Sequence, residues 1–287
     1  MFATLEKVTR LSRFGYLRLI RKMSTAVYLK LRRFTGPKSI TVRQVAVNNF
    51  QMLVRVDDSV GSEIYYLGAM REDEADFIAR NIEETDICFD IGANVGYYTL
   101  LLASLAKKGQ VHSFEPVPLS FHLLQSNIQI NSFGNVVANC CAVGEEEGER
   151  PFAVADDTSF SSFVDTERRT IKNSVRVSVT TLDTYCREHK IQQIHLMKVD
   201  VEGAEGLVLN GARQIMQDKN RRPRLVMLEL YEPMLRKYGT DIEQILHTMA
   251  GWGYDACVYH HGSLVAYREE HYNIFYNVLF VGRPSGD

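Results

Sequence analysis

What this chain of 287 residues lacks narrows its function first. No apolar run approaches the ~20 residues of a membrane-spanning helix. Arg and Lys interrupt every apolar stretch within residues 1–38, so no secretory leader is expected. The five cysteines, Cys88, Cys140, Cys141, Cys186 and Cys257, include no Cys-x-x-Cys pair. Reduced, partly buried thiols of a cytoplasmic protein are expected, not disulfides or a zinc site. There is no Gly-x-Gly-x-x-Gly loop for a dinucleotide and no Gly-x-x-x-x-Gly-Lys-Ser/Thr loop for a nucleotide phosphate, which argues against NAD and ATP. The chain shows no internal repeat, no low-complexity tract and no Asn-Pro-Pro-Tyr-like motif of an amino-methylating enzyme.

Charge is unevenly placed. Residues 1–38 hold ten basic residues and one acid, a net +9, and the remainder nets −11. An acidic body offers no grip on nucleic acid. Within the arm, Tyr16, Ile20, Met23, Val27, Leu31 and Phe34 recur every three or four residues and share one helix face, and Gly36-Pro37 stops the helix. Such a basic amphipathic helix can dock on the body or a second copy, lie on an anionic membrane, or act as a transit peptide.

Beyond the arm, residues 40–55 read as strands and 72–83 as a helix. Strand-like and helix-like segments then alternate: strands at 87–92, 110–116, 135–144, 194–203 (running into a turn), 224–232 and 275–282, helices at 97–108, 119–131, 204–217 and 242–254 (running into a turn). Alternation of this kind predicts a parallel sheet covered on both faces, with ligands at the carboxyl ends of its strands. The polar stretch 145–180 interrupts the pattern and reads as a lid or substrate loop. Three regions result: the arm 1–38, a lead-in 39–85 and a catalytic domain 86–287.

The chemistry-bearing residues sit just after strands. Asp90-Ile-Gly92-Ala-Asn94-Val-Gly96 is a strand-to-helix turn in which glycine permits a tight bend and close approach of a ligand to the helix amino terminus. Glu115 ends the next strand, where an acid can accept hydrogen bonds from ribose hydroxyls. Lys198, Asp200 and Glu202 alternate along one strand end, and Glu229 closes another. Charged groups there are costly without solvent, partners or substrate.

The ordered set DIGANVGYYT, FEPVPLSFHLLQSNIQIN, TLDTY (181–185), LMKVDVEGAE (196–205) and LELYEP (228–233) resembles the FkbM family of S-adenosylmethionine (SAM)-dependent methyltransferases. The resemblance covers about residues 60–282 and leaves out the arm. It implies a Rossmann-like class I methyltransferase fold of α/β type, with a seven-stranded, mostly parallel sheet whose last strand is antiparallel. It implies SAM held by Asp90, Gly92, Asn94, Gly96, Tyr98 and Thr99, with Glu115 and Pro116 at the ribose. It also implies O-methylation of a sugar or another hydroxylated natural product. Ser159, Ser161 and Ser162 match a serine turn of the family's middle loop, whereas Phe160 replaces the small or Met-like residue expected there.

For methyl transfer to a hydroxyl, Asp200 or Glu202 is expected to take the proton or orient the hydroxyl, with Lys198 or Glu229 nearby. A competing reading makes Asp200 the cap of the helix beginning near Ala204. His260, His261 and His271 are secondary candidates; His112 and His195 lie within strands and read as packing residues. Acids at 200, 202 and 229 are oxygen ligands by type, but their spacing supports no metal assignment. Tyr97, Tyr98, Phe152, Phe160 and Phe163 either stack on adenine and line a lid or belong to the core. Two other functions remain open from sequence alone: an NAD-dependent sugar enzyme and a non-catalytic assembly module. The expected partner is a small-molecule or glycan acceptor, in the cytoplasm, with self-association or peripheral membrane contact through residues 1–38.

Overall fold

The computed structural model describes residues 40–68, 72–260, 262–272, 274 and 276–283. The expected arm helix and His261 lie outside the described residues. The chain forms two units, Met1–Met70 and Arg71–Asp287, and the helix expected at 72–83 falls in the larger one.

In the smaller unit, β1 (Val42–Val47) and β2 (Phe50–Arg55) pair antiparallel across a turn in which Asn48 takes a φ of 51°, a conformation asparagine tolerates. A helix not foreseen from sequence, α1 (Ser59–Leu67), follows. Its start is fixed by Asp58, whose Oδ1 accepts from the Gly61 amide at 2.6 Å, and its end by Gly68 in the left-handed region.

The larger unit opens with α2 (Glu72–Asn81), then β3 (Ile87–Ile91), α3 (Tyr97–Leu105), β4 (Gln110–Phe114), α4 (Pro118–Ile130) and β5 (Val136–Asn139). After the segment 140–180 come α5 (Leu182–Glu188), β9 (Leu196–Val199), the short helices α6 (Glu205–Asn210) and α7 (Arg213–Gln217), and β10 (Leu225–Glu229). The chain ends with α8 (Glu232–Lys237), α9 (Ile242–Gly251), β11 (Tyr254–His260), β12 (Ser263–Ala266) and β13 (Asn277–Gly282). The eight-stranded sheet runs β12-β11-β13-β10-β9-β3-β4-β5. From β5 to β10 the neighbours are parallel, and β13 is antiparallel to both β10 and β11. The expected antiparallel last strand is present, but there are eight strands where seven were expected. The additional pairing is the β11–β12 hairpin, whose outer strand is fully exposed and so carries no buried apolar pattern.

β3 lies between β4 and β9, so strand order reverses there. Such a reversal opens a crevice at the carboxyl ends of the strands. Asp90, Glu115, Asp200 and Glu229 all stand at or just beyond those ends.

The polar stretch 145–180 is not one long loop. β6 (Ala142–Val143), β7 (Gly148–Ala155) and β8 (Ile171–Thr180) form a three-stranded sheet of their own. Its inner face packs Phe152, Val177 and Val179 against Ala142 and Val117. Most residues of β7 and β8 are exposed or only half-buried, which is why composition alone suggested a loop. The connecting loop is 156–170. The strand expected at 135–144 breaks at Cys140-Cys141. The helix expected at 204–217 breaks at Gly211, where a Cβ would come within 2.0 Å of the Gly144 carbonyl.

Phe89 centres the core beneath the crevice, fully buried and 5.7 Å from the Phe114 ring. His112 packs 5.0 Å from Phe89 and pairs with the Tyr185 hydroxyl at 2.8 Å. Burial lowers its pKa to about 4, consistent with a neutral packing residue. His195 Nδ1 accepts from the Ile87 amide at the opposite, amino end of the strands. Replacing Phe89 with Ala should cost about 3–5 kcal/mol; urea denaturation showing a loss under about 1 kcal/mol would contradict this packing.

Candidate functional site

The site begins where β3 gives way to α3. Asp90 is fully buried, and its Oδ2 accepts from Thr99 Oγ1 at 2.6 Å. Thr99 is itself buried and also pairs with Ser113. Thr99 therefore braces Asp90 from below. Gly92 has a φ of +80°, and a Cβ there would meet the Asp200 carbonyl oxygen at 1.9 Å. The absence of a side chain there lets a neighbouring strand end pass. The Asp200 amide seals the approach by donating to the Ile91 carbonyl at 3.0 Å.

Asn94, at a φ of 50°, turns the chain so that its amide donates to Glu115 Oε2 at 2.8 Å. The Val117 amide donates to Glu115 Oε1, also at 2.8 Å. The two strand tips singled out from sequence are therefore in direct contact, and Glu115 is buried at 6% exposure, not a solvated loop acid. Burial pushes its pKa to about 7, against the opposing pull of those two amides. Gly96, at a φ of +95°, takes the cap position of α3 without a side-chain cap, leaving that helix end to the crevice. Pro116 is half-buried on the way into α4.

Lys198 reaches across the tips. Its Nζ lies 3.4 Å from Asp90 Oδ1, 3.4 Å from Asp200 Oδ2 and 4.9 Å from the centre of the Tyr98 ring. The Tyr98 hydroxyl donates to Glu74, which also accepts from Asn277. Tyr97 and Phe152 are buried in the core.

Asp200 does not cap the following helix. No side chain caps that helix; Glu205 instead holds the loop before it, its Oε1 accepting from the Val201 and Gly203 amides at 3.0 and 3.3 Å. Glu205 is fully buried, and burial raises its pKa to about 8, so it holds a proton at neutral pH. The sequence reading gave it no role, although an acid in the first turn of a helix is a recognisable loop-binding signal.

Asp200, Glu202 and Glu229 bring one oxygen each within 4.8 Å of one another, close enough to share a cation. Sequence spacing hid this, because Glu229 arrives on the neighbouring strand. Burial, then the charges of Glu229 and Asp200, push the Glu202 pKa well above the ordinary carboxylate range. The Lys198 ammonium and the Arg168 guanidinium, whose Nη1 lies 2.5 Å from Glu202 Oε2, supply countercharge.

The three loop serines separate in role. Ser159 Oγ accepts from Asn94 Nδ2 at 3.2 Å and so touches the glycine turn. Ser161 is turned inward to the Ala155 amide, and Ser162 to Tyr238 and the Glu202 carbonyl. These bonds anchor the loop. Phe160 departs from the expected small residue because the Arg168 and Arg169 guanidiniums lie 4.2 and 4.4 Å from its ring centre. His260 ends β11, with β13 standing between it and the Glu229 strand. His271 is occupied in a local turn, accepting from the Arg268 amide at 3.0 Å.

Residues 90–256 match the profile of the methyltransferase FkbM domain, more than half of the chain. The chain belongs to the FkbM methyltransferase family. Family membership makes S-adenosylmethionine the cofactor and sets aside the NAD reading. Among FkbM-type relatives, the 31-O-demethyl-FK506 methyltransferase FkbM of Streptomyces tacrolimicus is 30% identical over 44% of this chain and 59% of its own. Methyltransferase sdnD of Sordaria araneosa is 26% identical over 66% of this chain and 85% of its own. The hexuronic acid methyltransferase AglP of Haloferax volcanii is 25% identical over 55% of this chain and 64% of its own. The solved methyltransferase FkbM of Methylobacillus flagellatus aligns with a TM-score of 0.44 at 16% identity, over 70% of this chain and 44% of its own length. Among the described residues of this FkbM-family chain, no helix is long and apolar enough to cross a membrane.

The Glu205 assignment carries a sign. A group whose pKa rises on folding favours the folded state at low pH and loses that advantage as pH climbs toward the folded value. Stability should therefore fall between pH 5 and 8, and Glu205→Gln, which keeps the amide-accepting oxygen, should flatten that fall. Urea midpoints at both ends of the range measure it; an unchanged slope would refute the assignment.

Proposed function

We propose that the chain is an O-methyltransferase that moves the methyl group of SAM onto a hydroxyl of a sugar or another small hydroxylated molecule. The observation that carries this reading is the junction of β3 and β9, where Asp200 is fastened onto the glycine turn. An acceptor base in that position sits beside the cofactor turn by construction.

The residues at the turn fit the cofactor. Asn94 Oδ1 is buried without a hydrogen-bond partner, and Asp90 Oδ1 accepts no hydrogen bond beside its ion pair with Lys198, so both are suited to the ammonium of an amino-acid moiety. The amino end of α3 favours its carboxylate. Glu115, with a free lone pair on each oxygen, is placed for the ribose hydroxyls. Bound SAM supplies an electrophilic methyl group on a sulfonium. What the chain adds is orientation, which contributes up to about 7–11 kcal/mol in ideal geometry, and exclusion of water by the 156–170 loop.

Asp200 accepts the acceptor's hydroxyl proton in this reading. Lys198, held between Asp90 and Asp200, fixes the position of the Asp200 carboxylate. Glu202 and Glu229 flank the acceptor and orient it. The names of two relatives, a 31-O-demethyl-FK506 methyltransferase and a hexuronic acid methyltransferase, support hydroxylated acceptors as the substrate class.

Labelled methyl groups from SAM should appear on oxygen when the protein meets a panel of hydroxylated acceptors; transfer only to nitrogen or carbon would overturn the proposal. Asp200→Asn should lower kcat by about 10²–10⁴-fold, with affinity for S-adenosylhomocysteine changed less than about threefold. Undiminished turnover would remove Asp200 from its role. Because Glu115 titrates at about 7 and the ribose hydroxyls bond to its ionised form, calorimetry should show affinity for S-adenosylhomocysteine rising roughly tenfold from pH 6 to pH 8. In Glu115→Gln that dependence should vanish, and its persistence would move the ribose elsewhere.

A further inference from the structure

Resting on the O-methyltransferase reading, we propose that the acceptor carries an oxyanion, a carboxylate or a phosphate, close to the hydroxyl that is methylated, and that Arg168 is the residue that selects it.

Loop 156–170 delivers Arg168 to the acid-lined rim. One nitrogen, Nη1, is spent on Glu202 at 2.5 Å. The guanidinium plane is steadied by two aromatic rings, with Phe160 at 4.2 Å and Tyr231 at 5.2 Å from its centre. Among the described residues, Nε and Nη2 donate no hydrogen bond, and the side chain stays 33% exposed. Arg168 is thus fixed at one edge, stacked on its faces, and open along the edge that carries its remaining donors. That arrangement resembles a prepared receptor more than a structural bridge. A guanidinium edge offers two parallel N–H donors, which match the two oxygens of a carboxylate or phosphate.

Its neighbour strengthens the case. Arg169 lies 4.4 Å from the same Phe160 ring, with its buried Nε lacking a hydrogen-bond partner and its nearest anion, Asp157, at 3.7 Å. Two guanidiniums stacked on one ring at the mouth of a site repel each other. An incoming anion relieves that repulsion, while a neutral acceptor leaves it in place. The choice of Phe at position 160 gains a reason: a small residue there would remove the one ring that both cations share. Geometry also sets the order of parts on the acceptor. Arg168 binds Glu202, and Glu202 lies in the cluster with Asp200, so an oxyanion on the open edge of Arg168 places a nearby hydroxyl toward Asp200.

Glucose, glucuronate and glucose 6-phosphate test this, since they share ring hydroxyls and differ at carbon 6. With the full chain and SAM, at least one anionic sugar should show a KM about 10- to 100-fold below that of glucose, and the two anionic arms tell carboxylate from phosphate. Arg168→Gln should raise the KM of the preferred anionic sugar by a similar factor, with a smaller change in kcat, and should collapse the preference over glucose. Arg168→Lys, which keeps charge but not the planar fork, should fall between. Calorimetry of each sugar against the complex with S-adenosylhomocysteine gives the same ranking without turnover. Equal use of all three sugars, or a preference that survives Arg168→Gln, overturns the inference and leaves sugar O-methylation standing. Methyl transfer to none of the three overturns the sugar reading and this inference together.

Discussion

One close contact organises the site: the carbonyl of Asp200 against the bare Cα of Gly92. Any side chain at position 92 would stand within 1.9 Å of that oxygen, so the ends of β3 and β9 can meet only because no Cβ intervenes. The amide of Asp200 then bonds to Ile91, and the two strands continue as one surface beyond the sheet. On that surface the glycine turn, Lys198, Asp200 and the turn toward Glu205 take their places. The touching tips of β3 and β4, joined through Asn94 and Glu115, extend it on the other side.

This arrangement concentrates acids where water is scarce. Asp90, Glu115 and Glu205 are buried, and Asp200, Glu202 and Glu229 converge beside them. Such crowding is unfavourable unless each charge is shared, neutralised or protonated. All three remedies are in use. Lys198 serves Asp90 and Asp200 at once, Arg168 serves Glu202, and Glu115 and Glu205 have raised pKa values while accepting backbone amides. The field of these acids suits a cationic cofactor, whose sulfonium and ammonium groups it stabilises.

The loop over the crevice adds the opposite sign. Arg168 meets Glu202 from the 156–170 side, Arg169 lies beside Asp157 and Lys237 of α8 pairs with Glu167 on that loop, while Ser162 and Tyr238 tie the loop to the Glu202 backbone. The three-stranded sheet beneath holds the loop by its two ends. A lid built this way is positioned by β-pairing, with its contact residues confined to one short connection.

The sequence by itself determined the alternating α/β order, the turn from Asp90 to Gly96, the acid at Glu115 and the acids that follow β9 and β10. These are local matters: hydrophobic period, glycine in a tight turn and a charged residue at a strand end are all written within a few neighbouring positions. Only the tertiary structure decided that Gly92 makes room for Asp200, that Thr99 supports Asp90 and that Glu205, not Asp200, holds the following loop. It also decided that Ser161 and Ser162 face inward and that Arg168 meets Glu202. Each of these joins residues on different elements or chooses between faces of one element, and it depends on strand order and packing distance. A residue's type fixes what it can bind, but the crossing of chains far apart in sequence settles what stands within its reach.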